Sequence, residues 1–114
     1  MIIETVTQVR RYQANGKISP VIRHVVLLKL TDPAEAPETV ERLHALRGAC
    51  AGLLSMDAGA DVLRTEASYD VALVTTHDDL AGLQAYAADP VHQGFLAWLK
   101  PRLASRVVVD SELS

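Results

Sequence analysis

Apolar and polar positions along the chain fall into stretches of two periods. Residues Ile22-Arg23-His24-Val25-Val26-Leu27-Leu28-Lys29-Leu30 are nearly continuous in β-formers and largely apolar on both alternate faces, which predicts a central strand covered on both sides. Asp32-Pro33 and Ala36-Pro37 punctuate the next stretch. From Glu38 the positions Val40, Leu43, Leu46 and Cys50 recur every three or four residues, predicting one apolar stripe on a helix that ends near Gly52. Glu38, Glu41, Arg42 and Arg47 form its solvated side. Leu54, Met56, Ala58 and Ala60 then alternate with Ser55, Asp57, Gly59 and Asp61, a period of two that predicts a second strand, with Gly59 hinting at a bulge. The polar run 62–68 reads as a hairpin connection into a third strand over 69–76, again apolar on both faces. Asp78 is placed to cap a short helix whose Leu80, Leu83, Tyr86 and Ala87 share a side. Asp89 before Pro90 caps a second, with Val91, Phe95, Trp98 and Leu99 as its stripe and Lys100-Pro101 as its end. Residues 106–110 close the series as a strand.

The order strand, helix, strand, strand, helix pair, strand is the ferredoxin-like α+β arrangement, βαββαβ. Helices on one face of such a sheet leave the other face bare. Its aliphatic residues are then expected to pack against the same face of a second copy, giving a dimeric α/β barrel with an enclosed interior. Residues 1–20 stand apart from this domain, which spans 21–114. Val6, Val9 and Tyr12 are mixed there with Gln8, Arg10, Arg11 and Gln13 before the turn signal Asn15-Gly16, a pattern that fits a β-hairpin adding an edge strand or a mobile arm.

Composition narrows the classes of partner. The chain has 114 residues, 49% of them hydrophobic, yet one Phe and one Trp, so the core is aliphatic and stacking platforms for nucleic acid are scarce. A net charge of -3, with no basic run longer than Arg10-Arg11, gives no attraction to phosphate backbones or anionic lipid. Neither nucleic acid nor membrane is an expected partner. Cys50 is the single cysteine, which excludes an intrachain disulfide and multi-thiolate metal sites. The first residues, Met1-Ile2-Ile3-Glu4-Thr5-Val6-Thr7, lack a basic region followed by an apolar one, and the expected location is the cytoplasm.

Candidate chemistry concentrates between Tyr86 and Phe95. With Asp89 as N-cap and Pro90 as first helical residue, His92 falls in the first turn, where the positive end of the helix dipole favours a neutral imidazole. Such a ring accepts or relays a proton near neutral pH, and Tyr86 can share a ligand with it if the chain turns back between the helices. His24 lies on one strand face with Val26, Leu28 and Leu30, as a packed core histidine or as a ligand contact. His44 and His77 read as surface residues. Cys50 lies in an apolar stripe, where a thiol stays protonated and inert. No HxH or HExxH spacing, Gly-x-Ser-x-Gly elbow or phosphate-binding glycine loop occurs, so neither a metal nor a cofactor is expected.

Taken in order, Ile22 to Leu30, Ser68-Tyr69-Asp70-Val71-Ala72-Leu73-Val74, Tyr86 with Asp89-Pro90-Val91-His92, and Val107-Val108-Val109-Asp110 resemble the stress-responsive A/B barrel (Dabb) family, over about residues 21 to 113. The resemblance implies a dimeric α+β barrel of ferredoxin-like subunits. That family holds stress-induced proteins with no assigned reaction, and a plant polyketide cyclase that closes a linear tetraketide without cofactor. His92 and Tyr86 match that enzyme's acid/base histidine and its tyrosine, and His24 matches a further pocket histidine. Where Asp89 stands, the family more often has histidine. Two functions follow as expectations: a homodimer holding a small apolar or aromatic molecule in the barrel interior, or a cyclase or isomerase using His92 as acid/base and Tyr86 as orienting donor. A third reading fills the interior with side chains.

Overall fold

A computed structural model describes residues 10–12 and 18–113. Two short strands, β1 (Arg10–Tyr12) and β2 (Ile18–Pro20), pair antiparallel in a two-stranded sheet of their own and add no edge to the main one. The Asn15-Gly16 turn signal lies outside the described residues. The main sheet is four-stranded and antiparallel in the order β4-β5-β3-β6, from β3 (Ile22–Leu30), β4 (Ser55–Ala60), β5 (Val71–His77) and β6 (Leu103–Glu112). Helices α1 (Ala36–His44), α2 (Leu80–Ala88) and α3 (Pro90–Leu99) cover one face, the ferredoxin-like α+β arrangement. Among the described residues no helix is long and apolar enough to cross a membrane.

Strand pleating divides the residues between two environments. Val26, Leu28 and Leu30 of β3 and Val71 and Leu73 of β5 point toward the helices and bury against Leu43 of α1 and Phe95 and Leu99 of α3. Their neighbours point the other way. Leu27, Val107 and Val109, which the register aligns across β3 and β6, are 37%, 45% and 64% exposed. The central strand is therefore covered by this chain on one side only.

Several boundaries differ from those expected, each for a local reason. α1 stops at His44 rather than near Gly52, and residues 45–52 form turns in which Gly48 and Gly52 adopt φ of 70° and 72°. Cys50 thus sits in a turn, outside any helix. β4 pairs with β5 without interruption, so Gly59 makes no bulge, and the register shift of the sheet falls instead between Lys29 and Leu30 against β6. β5 begins at Val71 because Asp70 is used to lock the strand entrance: its carboxylate accepts from the Leu30 N–H at 2.7 Å and its own N–H donates to Leu28 O at 2.8 Å. Asp79, not Asp78, caps α2 by accepting from Gly82 N at 2.8 Å. Leu80 and Val91, placed on the apolar stripes, each lie in the first turn of their helix and are 62% and 48% exposed. A 3-10 turn over Lys100–Arg102 follows α3.

Candidate functional site

Asp89 separates α2 from α3 and builds the site around itself. Its extended backbone (φ -62°, ψ 133°) breaks the helix, one carboxylate oxygen accepts from Val91 N at 2.8 Å and the other from Ala51 N at 2.9 Å. The Asp89 cap expected from the sequence is present. It also staples the α1–β4 connection to the start of α3, and the Ala51 and Val91 N–H groups hold the carboxyl below its ordinary value.

The bend folds Tyr86, on the last turns of α2, against His92, in the first turn of α3. Their ring centroids are 4.2 Å apart at 37°. His92 Nδ1 lies 3.2 Å from Ala87 O. A carbonyl only accepts, so Nδ1 carries the proton, and in the neutral ring Nε2 keeps the lone pair. Burial is the main cause that pushes the His92 pKa down, with the Ala87 carbonyl opposing it, and the ring is neutral at pH 7. Tyr86 is 1% exposed; burial and then the neighbouring Cys50 raise its phenol to about 12, so it remains an O–H donor. That hydroxyl is buried and has no hydrogen-bond partner among the described residues.

His24 meets the same site from β3. The register sets it opposite Thr75 on β5 and Asp110 on β6, and its Nδ1–H donates to the Asp110 carboxylate. Asp110 fixes that nitrogen as the donor, and Nε2 has no hydrogen-bond partner among the described residues. The fourth ring, His77, is fully buried, which corrects its reading as a surface residue. Its position on β5 alternates with Val71, Leu73 and Thr75, all inward. The ring donates from Nδ1 to Gly52 O at 2.6 Å and accepts at Nε2 from the Thr75 hydroxyl at 2.8 Å. Both nitrogens are used, so His77 is a support for Tyr86, 5.1 Å away, rather than a reactive group. His44 is also not a surface residue: it is half-buried, with a buried Nε2 that has no hydrogen-bond partner among the described residues.

His24, Tyr86 and His92 thus come together, but not where a sheet-to-sheet barrel interior would lie. They sit between the sheet and the helices, because His24 follows the same pleat as Val26 and Leu28. The pocket they share with Leu28, Phe95 and Leu96 holds a cavity of only about 20 Å³, room for about one water. A larger concavity of about 330 Å³, lined by Leu27, Gly59, Tyr69 and Ala72, is on the opposite, uncovered face. The expected association of a spacious barrel interior with the histidines is therefore corrected: the two lie on opposite sides of one sheet.

Three site residues were missed by the sequence. His77 was legible from its alternation with Val71 and Leu73, whereas Asp110 and Arg106, which lines the pocket rim, required the β3–β6 register. Cys50 adjoins Asp89 and Tyr86, and burial followed by the Asp89 charge raises its thiol pKa, leaving a protonated group. Among the described residues no group of three His, Cys, Asp or Glu is arranged to hold a metal ion.

The buried rings give a signed pH dependence. Burial depresses both His77 and His92, so below an unfolded-state value of about 6.5 the unfolded chain binds protons that the folded chain refuses. Stability is complete above that value and falls as pH drops from it through the folded pKa values. The urea midpoint is expected to be level from pH 8 to 7 and to decline toward pH 5; a midpoint that stays level to pH 5 would remove the assignment of both rings as desolvated and neutral.

The model of the Stress responsive A/B Barrel Domain family matches residues 22–113. An uncharacterized protein of Streptomyces coelicolor is 32% identical over 96 residues, covering 80% of this chain and 98% of that protein. The crystal structure of a dimeric ferredoxin-like protein of unknown function from Thermobifida fusca is 31% identical, with a TM-score of 0.75 over 90% of this chain and 95% of that one. A dimeric protein of unknown function and ferredoxin-like fold from Bacteroides fragilis is 25% identical, with a TM-score of 0.72 over 81% and 95%.

Proposed function

From the premise that the chain belongs to the stress-responsive A/B barrel family, we propose that it acts in the cytoplasm as a homodimer that binds a small apolar or aromatic molecule between sheet and helices, its polar atom on Tyr86. The observation that carries this is the Tyr86 hydroxyl, a buried donor with no partner among the described residues, in a pocket it shares with the imidazoles of His24 and His92. Buried polar groups are nearly always satisfied. A ligand oxygen in place of the single water the cavity admits would satisfy this one, and its apolar body would displace Phe95 and Leu96 outward. The uncovered Leu27, Val107 and Val109 face supports pairing with a second copy, and both solved relatives named above are described as dimeric.

A second reading, a cofactor-independent cyclase or isomerase, is favoured by the His92 tautomer. Nε2 would take a proton from carbon beside a ligand carbonyl; the C–H electron pair becomes the enolate double bond, and the charge moves to an oxygen held by the Tyr86 O–H. The imidazolium then returns the proton to another carbon, or to the alkoxide formed when the enolate attacks a second carbonyl.

Both are tested with aryl β-diketones as probes. Binding is expected to shift the NMR signals of Tyr86 and His92, and Tyr86→Phe to weaken it about tenfold while raising stability by about 1 kcal/mol, since an unpaired buried hydroxyl is lost. Equal affinity in Tyr86→Phe would sink the site. In D2O the wild type is expected to speed exchange of the probe's acidic protons and His92→Ala to abolish that rate; binding without exchange leaves the first reading alone.

A further inference from the structure

The pocket is walled mostly by apolar side chains and includes one cation: Val26, Leu28, Leu73, Phe95 and Leu99 line it together with His24, Tyr86, His92 and Arg106. Arg106 is on β6, opposite Leu28 in the register, and so on the same face of the sheet as the histidines. It is exposed and makes no ion pair among the described residues. Two carboxylates on the elements around the pocket are committed elsewhere. Asp110, four residues along the same strand and so about 13 Å away, accepts from His24. Asp89 is held by the N–H groups of Ala51 and Val91. The other polar groups that line the pocket are the Tyr86 O–H and the imidazoles of His92 and His24. His24 and Arg106 both act on His92 in the direction that disfavours a positive ring, which places a cation within reach of the site.

We propose that the ligand of this pocket is an amphiphilic acid: an apolar or aromatic body seated against Leu28 and Phe95, with a carboxylate held by the Arg106 guanidinium at the rim. A guanidinium that makes no ion pair among the described residues, lining the same pocket as an unsatisfied buried hydroxyl, matches a planar anion that accepts two parallel hydrogen bonds. The carboxylate closes the mouth of the pocket, and a carbonyl or hydroxyl farther along the ligand meets Tyr86. A neutral ligand of the same shape fills the same apolar walls and leaves the arginine in water. The inference rests on the ligand site proposed above and adds the ligand's charge.

The test compares 3-phenylpropanoate with 3-phenylpropanol at pH 7.5 on the full chain, read by NMR shifts at Tyr86 and His92 and by the fluorescence of the single tryptophan, Trp98, whose ring centroid lies 6.0 Å from that of the pocket residue Phe95. The acid is expected to bind about tenfold tighter than the alcohol, the factor of one charge-assisted hydrogen bond. Arg106→Gln is expected to erase that preference without changing the affinity for the alcohol, and Arg106→Lys to keep part of it. Position 106 is exposed, so these variants fold. An acid and alcohol that bind alike, or a preference that survives Arg106→Gln, would overturn the charge inference while leaving the site intact. If neither compound shifts Tyr86 or His92, the site and the inference fall together.

Discussion

Alanine at position 52 is expected to cost about 4 kcal/mol or more of folding stability, because two penalties meet there. Gly52 has φ of 72°, and a Cβ added to it would lie 2.1 Å from Gly82 O and 2.9 Å from the carbon of that carbonyl. Backbone cannot swing aside as a flexible side chain does. The α1–β4 connection and α2 would have to separate, taking with them the Gly52 carbonyl that His77 holds and the floor beneath Tyr86. Two further glycines isolate the parts. Gly48 has φ of 70° and a Cβ added there would meet nothing within 4 Å, so Gly48→Ala should cost only the left-handed strain, about 1 kcal/mol. Gly82 is the same contact seen from the other side, where a Cβ meets neighbours no closer than 3.5 Å. Gly82→Ala is therefore expected to be neutral or to stabilise α2 by up to about 1 kcal/mol, the helix preference of alanine. Urea unfolding of the three variants checks the series. A Gly52→Ala midpoint close to that of Gly48→Ala would show that the close approach to α2 does not constrain the fold.

His77→Leu is expected to be the next most damaging change, at about 3 kcal/mol, although leucine is apolar and the site is fully buried. The loss comes from what remains: the Gly52 carbonyl and the Thr75 hydroxyl, itself 0% exposed, keep their polarity and lose the ring that paired them. His77→Asn places an N–H donor near the position of Nδ1, so it should restore the bond to Gly52 and recover about half the loss. Both variants should also flatten part of the decline in stability below pH 6.5, since one of the two depressed imidazoles is gone. A His77→Leu protein as stable as wild type would mean that neither bond contributes to the fold.

These residues explain how a site for chemistry is held in a small domain. His77 and Gly52 fix the turn beneath Tyr86, Asp89 fixes the start of α3 above it, and Asp110 fixes the tautomer of His24 across the sheet. None of them needs to touch a ligand. They leave the Tyr86 hydroxyl without a partner among the described residues, a local cost of the kind found where structure is kept ready for binding.

Period and punctuation carried much of the architecture. The runs 22–30 and 69–76, the Asp89-Pro90 cap and the order of elements are local features, dictated by side-chain volume, pleat and missing N–H groups, and they led to the ferredoxin-like fold and to its family. His24, Tyr86 and His92 were recognisable for the same reason, since strand alternation and helix start place each one within its own element. Which residues meet was a different matter. The helix end at His44 depended on a turn closed by Gly48 and Gly52 against α2, and the cap of α2 shifted to Asp79 once that packing fixed the helix start. His77 was misjudged because a single polar residue at a strand end looks solvated until its two partners, one of them 25 residues away, are in place. Asp110 and Arg106 reach the site only through the β3–β6 register, a pairing across more than 70 residues that leaves no local trace. The side of the sheet on which the pocket lies was likewise decided by tertiary packing, because a strand apolar on both faces does not say which face its own helices will cover.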